Sequence, residues 1–274
     1  MLKSEVEERV KKTFNTVAEV YDTPTMSWFD QTADVIAHAG QLTAGQKALD
    51  LATGTGKVAL RFAASTPLAQ VTGVDLSAGM LAQATKKAHL AGLTNTRFLE
   101  CSFDEMVFGE QFDVVSCSFG LFFVEEMAQT LRHFADQATP QGKVIISTFE
   151  AGSFAPFNDS FLRHYAKLGF EVRPAPWLRI ASHETLATVF EEAGLSVPIM
   201  KTHDFGFELS SKETWWDIVW KAGYRGMLEA LNDEQLAKFK RDHLAEVEGF
   251  IKNGDSRLVV NVIVGVANKG QTLS

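Results

Sequence analysis

The chain is poor in cysteine, and that scarcity removes several kinds of protein at once. Cys101 and Cys117 are its only two among 274 residues. Neither has a CxxC or histidine spacing, so no disulfide framework and no structural metal site is implied; both read as reduced residues in apolar strands. Long apolar runs are also missing. No stretch approaches the ~18 residues that mark a membrane span, and Met1 to Lys12 alternates in charge where a secretory leader is apolar. The expectation is a cytoplasmic protein without stable membrane insertion. Basic excess is lacking too: 26 Lys and Arg stand against 34 Asp and Glu, a net charge of −8. A nucleic-acid groove needs clustered cations, whereas Lys11-Lys12, Lys86-Lys87 and Lys238 to Arg241 fall in polar helical stretches and read as solvated faces. No internal repeat is visible. What is present, 46% hydrophobic and 22% charged residues, is ordinary for one globular α/β core with an elaboration.

The most informative segment is Ala48-Leu49-Asp50-Leu51-Ala52-Thr53-Gly54-Thr55-Gly56-Lys57, followed nineteen residues after Gly56 by Asp75. An apolar run, a glycine turn and the helical pattern opened by Val58-Ala59-Leu60 make a strand, turn, helix unit. Glycines so placed let backbone approach a ligand, and the following helix aims free N–H groups at a polar group. A phosphate-cradling P-loop is excluded, because Leu51 stands five before Gly56 and Val58 replaces the magnesium-binding hydroxyl. Gly54, Gly56 and Ala59 satisfy a dinucleotide fingerprint, so the glycines alone leave nicotinamide or flavin binding open. Asp50 narrows the choice. A carboxylate four residues before the first glycine repels a bare pyrophosphate and tolerates a ligand carrying an ammonium group, unless it only caps the turn through local backbone bonds.

Period changes along the chain give the organisation. Val6, Val10, Phe14 and Val17 mark an amphipathic first helix; a second spans about 27–39. Strands near 47–52, 70–75, 96–101, 112–117 and 143–149 alternate with helices near 57–65, 78–91 and 125–137, which predicts a parallel sheet covered on both faces. Ser77 caps the second of these helices and Gly92 ends it.

Four segments in order resemble class I S-adenosylmethionine-dependent methyltransferases. They are Leu49 to Gly56, Gly73-Val74-Asp75-Leu76-Ser77-Ala78-Gly79-Met80-Leu81, Phe112 to Leu121, and Pro140 to Ile146. The wording of the first and fourth is most similar to quinone-biosynthesis C-methyltransferases and related small-molecule methyltransferases, and Val20-Tyr21-Asp22 is similar to the end of that group's N-terminal helix. The resemblance implies a Rossmann-like doubly wound sheet of seven strands, the last antiparallel, and S-adenosyl-L-methionine as cofactor. It implies that backbone around Ala52, Thr53, Gly54 and Gly56 holds the methionine end, that Asp50 sets the loop, and that Asp75 binds both ribose hydroxyls. Leu76 and Met80 would pack on adenine, and Ser102-Phe103 would face its edge; Ser102 replaces the commoner aspartate, for which Asp104 could substitute. Ser118 would face the cofactor ammonium and Tyr21 its carboxylate. A helical flap (1–40) and a methyltransferase domain (41–274) are expected, with a cofactor core at 45–150, a lid at 151–195 and C-terminal elements at 196–274.

Beyond 150 the sequence turns aromatic. Phe154, Phe157, Phe161 and Tyr165 recur at helical spacing, a helix is expected near 182–193, a strand at 197–209, a helix carrying Trp215, Trp216 and Trp220, a polar helix at 233–252, and a β-branched strand from Leu258 to Ala267 that the resemblance inserts between the fifth and sixth. Phe122, Phe123, Trp177 and Trp216 are candidates to line an apolar pocket for a small aromatic or lipid-like acceptor. His164, His183 and His203 each lack a partner in sequence, so no catalytic base is assigned. Two other functions remain in play: a nicotinamide-dependent oxidoreductase, and a noncatalytic cofactor-binding partner protein.

Overall fold

The computed structural model describes residues 3–102 and 106–270. Its centre is a seven-stranded sheet. The strands β1 (Lys47–Leu51), β2 (Gln70–Asp75), β3 (Thr96–Glu100), β4 (Phe112–Ser118), β5 (Ala138–Phe149), β6 (Ile199–Asp204) and the C-terminal strand (Asn261–Asn268) stand in the order β3-β2-β1-β4-β5-C-terminal strand-β6. The first five are parallel and the C-terminal strand runs antiparallel to both neighbours. The seven-strand doubly wound sheet expected from the sequence is therefore present. Val71, Val74, Val114, Val115, Ile145 and Ile146 are almost inaccessible, as strands covered on both faces require.

Helices α1 (Lys3–Val17), α2 (Trp28–Gly40), α3 (Lys57–Ser65), α4 (Ala78–Leu90) and α5 (Met127–Gln137) follow the expected positions within a few residues. The Ser77 hydroxyl caps α4 by accepting from Met80 N at 3.1 Å. Three strands differ from expectation, the last of them beginning at Asn261 and not at Leu258. β5 begins at Ala138 because Ala138 already pairs with Phe112, before the register shifts between Phe112 and Val114. The strand expected at 197–209 is interrupted: β6 ends at Asp204 opposite Asn261, and β7 (Phe207–Glu208) resumes opposite β8 (Arg257–Leu258) in the same register. The C-terminal strand is β9.

The segments after β5 pack in two places. Helix α7 (His183–Glu192) packs on α5 and β9, as a covering helix of the sheet, with Leu186 and Phe190 fully buried. Helix α6 (Phe157–Lys167) instead meets α10 (Asp233–Lys252), which also packs on α8 (Lys212–Lys221), while the short α9 (Arg225–Leu228) reaches α1. Phe157, Phe161, Trp215 and Phe239 fill that junction, each no more than 1% exposed. A buried polar chain fixes it. The Trp215 indole N–H donates to His243 Nε2 at 2.7 Å, which places the imidazole proton on Nδ1, 3.0 Å from Ser160 Oγ; that hydroxyl donates to Glu246 at 2.9 Å.

Burial, reinforced by the charge of His164, pushes the His243 pKa down to about 3. A second proton has nowhere to sit, because Nε2 faces an N–H. The neutral ring thus stabilises the fold fully above pH ~6.5, and the contribution drains away as pH falls and the unfolded chain binds the proton instead, at most about 1.4 kcal/mol per pH unit. Urea unfolding between pH 7 and 5 should show wild type losing stability relative to His243→Gln, and parallel curves would contradict this.

Candidate active site

The site hangs on β1. Asp50, its penultimate residue, lies between Gly73 on β2 and Ser116 on β4 and is 1% exposed. A charge there is expensive to bury, and burial raises its pKa to about 6 although Thr53 Oγ1 (2.6 Å) and Ser116 Oγ (2.8 Å) both donate to it. Those bonds tie the following loop to the sheet. Thr53 N donates to Val74 O at 2.9 Å, and Gly54 N donates to Asp75 Oδ2 at 2.8 Å. The loop turns by placing Ala52 (φ 52°) and Gly54 (φ 54°) in the left-handed region, where an alanine carries strain and a glycine does not.

Asp75 closes β2. Its second oxygen accepts from Ser77 N at 2.9 Å, and burial raises its pKa against the backbone bonds from Ser77, Gly54 and Leu76. On the opposite wall the chain leaving β4 comes very close: a Cβ on Gly120 would stand 2.5 Å from that of Ala52 and 2.8 Å from Cys117 Sγ. The side chain of Ser118 hydrogen-bonds Ser147 at 2.8 Å.

Helix α1 roofs the cleft. Val6, Glu7, Val10 and Phe14 form one stripe of it and line the cavity. Its far end is clamped: Asn15 Oδ1 accepts from Gly79 N (2.9 Å) and Ser77 Oγ (2.7 Å), and Asp22 pairs with Lys57 (3.0 Å) and Lys87 (2.7 Å) while accepting from Thr55 Oγ1 at 2.9 Å. Burial opposes the Asp22 charge, but the two lysines outweigh it and lower its pKa. Lys57 continues to Asp30 on α2, and Arg61 pairs with Asp30 and Asp34.

The cleft therefore gathers Tyr21, Asp50, Ala52, Thr53 and Gly54 with Asp75, Leu76, Met80, Ser102 and Ser118. Gly56 (φ 82°) lies just outside, shaping the entry to α3. Phe103 and Asp104 fall outside the described residues. Of the acceptor candidates only Phe123 lines the cleft. Phe122 is 4% exposed and turns into the core with Leu121 and Leu131. Trp177 packs on Phe149 and Phe154, with centroids 5.8 and 6.4 Å away. Trp216 belongs to a separate surface groove, stacked 6.0 Å from Trp220 with Lys240 over its ring. Helical spacing made packing residues resemble pocket residues. No histidine lines the cleft among the described residues, and no cluster of metal-ligating side chains occurs among them. His164 is spent on Glu246 (2.8 Å) and His183 on Thr202 (2.9 Å).

Known proteins give the same answer. A family model described as a methyltransferase domain matches residues 48–142. A ubiquinone/menaquinone biosynthesis C-methyltransferase of Geotalea daltonii is 29% identical over 59% of this chain and 72% of its own length. A demethylmenaquinone methyltransferase of Bacillus cytotoxicus is 26% identical over 73% of this chain and 92% of its own. The chain is an S-adenosylmethionine-dependent methyltransferase. For the fold of this methyltransferase, a solved structure agrees: a SAM-dependent methyltransferase of Thiobacillus denitrificans superposes with a TM-score of 0.58 at 18% identity, covering 94% of this chain and 97% of that one.

Several wall residues of the methyltransferase were not anticipated. Val6, Val10 and Phe14 carried a visible signal, the stripe on α1, which read as a core face, and Glu7 carried none. Phe29 and Phe119 carried none: their role depends on Phe119 being left-handed (φ 56°) after β4, stacked 4.4 Å from Phe149, with Phe29 edge-on at 5.2 Å.

The contact between Ala52 and Gly120 makes a direct prediction. Gly120→Ala should lower stability by about 1–3 kcal/mol in urea unfolding, since neither neighbour is free to retreat. Unchanged stability would show that this contact does not hold the loop.

Proposed function

We propose that this methyltransferase transfers the methyl group of S-adenosylmethionine to a small, apolar, aromatic acceptor held above the Ala52–Gly54 turn. The carrying observation is the joint placement of that left-handed turn and Asp75 at the carboxyl edge of the parallel strands, the position where open α/β sheets bind nucleosides. The residues fit the cofactor in chemistry and space. A Cβ on Gly54 would meet nothing within 4 Å, so the turn is open to a ligand on that side.

In this reading Asp75 binds the ribose diol, Leu76 and Met80 flank adenine, and Ser102 lies at its edge. Backbone at Ala52, Thr53 and Gly54 holds the methionine end, with Ser118 toward its ammonium and Tyr21 over its carboxylate. Asp50 works from beneath by fixing Thr53, and its charge favours a cationic amine nearby. When bound, the cofactor would supply a sulfonium methyl group, to which the acceptor atom bonds in line as the methyl–sulfur bond breaks and S-adenosylhomocysteine leaves. The protein's part is orientation and exclusion of water.

The Tyr21 phenol suits that part. Burial, with Asp22 and Asp75 nearby, pushes its pKa up, so it stays neutral and acts as wall and donor, not base. It stacks on Phe29 at 5.5 Å, and Phe29, Phe119 and Phe123 give the acceptor side an aromatic surface. The quinone methyltransferases among the relatives support an aromatic acceptor of this kind.

Two measurements test the reading. Incubation with methyl-labelled S-adenosylmethionine and fractionated metabolite extract should label a product in the apolar fraction; label confined to polar products would refute the acceptor class. Asp75→Ala should weaken S-adenosylhomocysteine binding by at least about 30-fold, because a buried carboxylate receiving two hydroxyls is removed. Equal affinity in calorimetry would remove Asp75 from the site.

A further inference from the structure

We infer that Glu7, on the roofing helix α1, is the carboxylate that reads the amino group of adenine in this enzyme. The inference rests on the cofactor reading above and deepens it. If Asp75 holds the ribose, the base lies toward Leu76 and the end of β3. That end is adjacent to Asp75 in the sheet: Asp75 pairs with Glu100, and Cys101 N donates to Asp75 O at 3.1 Å. The next residue, Ser102, lines the cleft, and Glu7 Oε1 lies 3.5 Å from its hydroxyl.

An exocyclic amine on an aromatic base offers only N–H donors in the ring plane, and a carboxylate offers only acceptors. Among the described residues that line the cleft there are three carboxylates. Asp50 lies beneath the turn and Asp75 faces the diol, while Glu7 stands at the base end, against Ser102. Its helix is held in register there. Lys11, one turn further along, pairs with Glu100 at 2.7 Å, and Asn15, two turns along, grips the N-terminus of α4. Val6, Val10 and Phe14 meanwhile give the cleft an apolar roof. Base recognition and closure of the roof are thus carried by one helix.

Calorimetric titration compares S-adenosylhomocysteine with S-inosylhomocysteine, in which the amino group is replaced by a carbonyl. Glu7→Ala should weaken the adenosyl ligand about 10- to 100-fold, the worth of a charge-assisted hydrogen bond, while changing the inosyl ligand little. Adding Ser102→Asp to that variant should restore adenosyl affinity from the β3 side. Thermal unfolding of the ligand-free variants checks that α1 remains seated. Equal losses for both ligands, or none for either, would overturn the role of Glu7. Failure of wild type to bind S-adenosylhomocysteine, or retention of full affinity by Asp75→Ala, would instead sink the cofactor reading on which it stands.

Discussion

The buried carboxylate of Asp50 is the constraint on which the site depends. It is paired with hydroxyls, not with a cation, and burial, which those bonds only partly offset, raises its pKa to about 6. A group so placed is tolerated only because it fastens three pieces at once: β1 on which it sits, β4 through Ser116, and the turn through Thr53. With Thr53 fixed, the chain must pass through left-handed backbone at Ala52 and Gly54, and Gly54 N then meets Asp75. Ala52 in turn admits nothing larger than glycine at position 120, which sets the path of the chain leaving β4. One strained loop thereby positions both walls of the cleft.

The second layer is electrostatic and draws the N-terminal helices onto this loop. Asp22 and Thr55 join the end of α1 to the turn, while Lys57, Lys87, Asp30 and Arg61 extend the link to α2, α3 and α4. Lys57, with 15% of its side chain exposed, is the most shielded cation of the set. Surface ion pairs singly contribute little, but a network around a part-buried lysine fixes geometry. The far side is held differently, by aromatic packing at the junction of α6, α8 and α10 and by the Trp215–His243–Ser160 chain.

Much of this was legible in the sequence because local chemistry decided it. The alternation of apolar runs with capped helices gave the sheet, and β2, α3 and α10 have the limits expected of them. Asp50 and Asp75 stood out as acids where apolar strands end. Other parts were hidden for physical reasons. The apolar face of α1 looks the same whether it covers a core or a cleft, and Glu7 becomes notable only when the fold brings it to Ser102, 95 positions away. Within the segment after β5, α6 finds its partner in α10, far along the chain, while α7 covers the sheet. Trp216 and Trp177 share spacing and composition with pocket residues and pack elsewhere. Tertiary contacts, not periodicity, separate these cases.

The central claim is that the turn at Ala52 to Gly54 and Asp75 form a site for S-adenosylmethionine in particular, among the nucleoside cofactors that the glycines alone would admit. Parallel calorimetric titrations of the wild-type chain with S-adenosylhomocysteine and with NAD test it most directly. The account predicts saturable binding of one S-adenosylhomocysteine per chain and none of NAD. Binding of NAD in the absence of S-adenosylhomocysteine binding would contradict it.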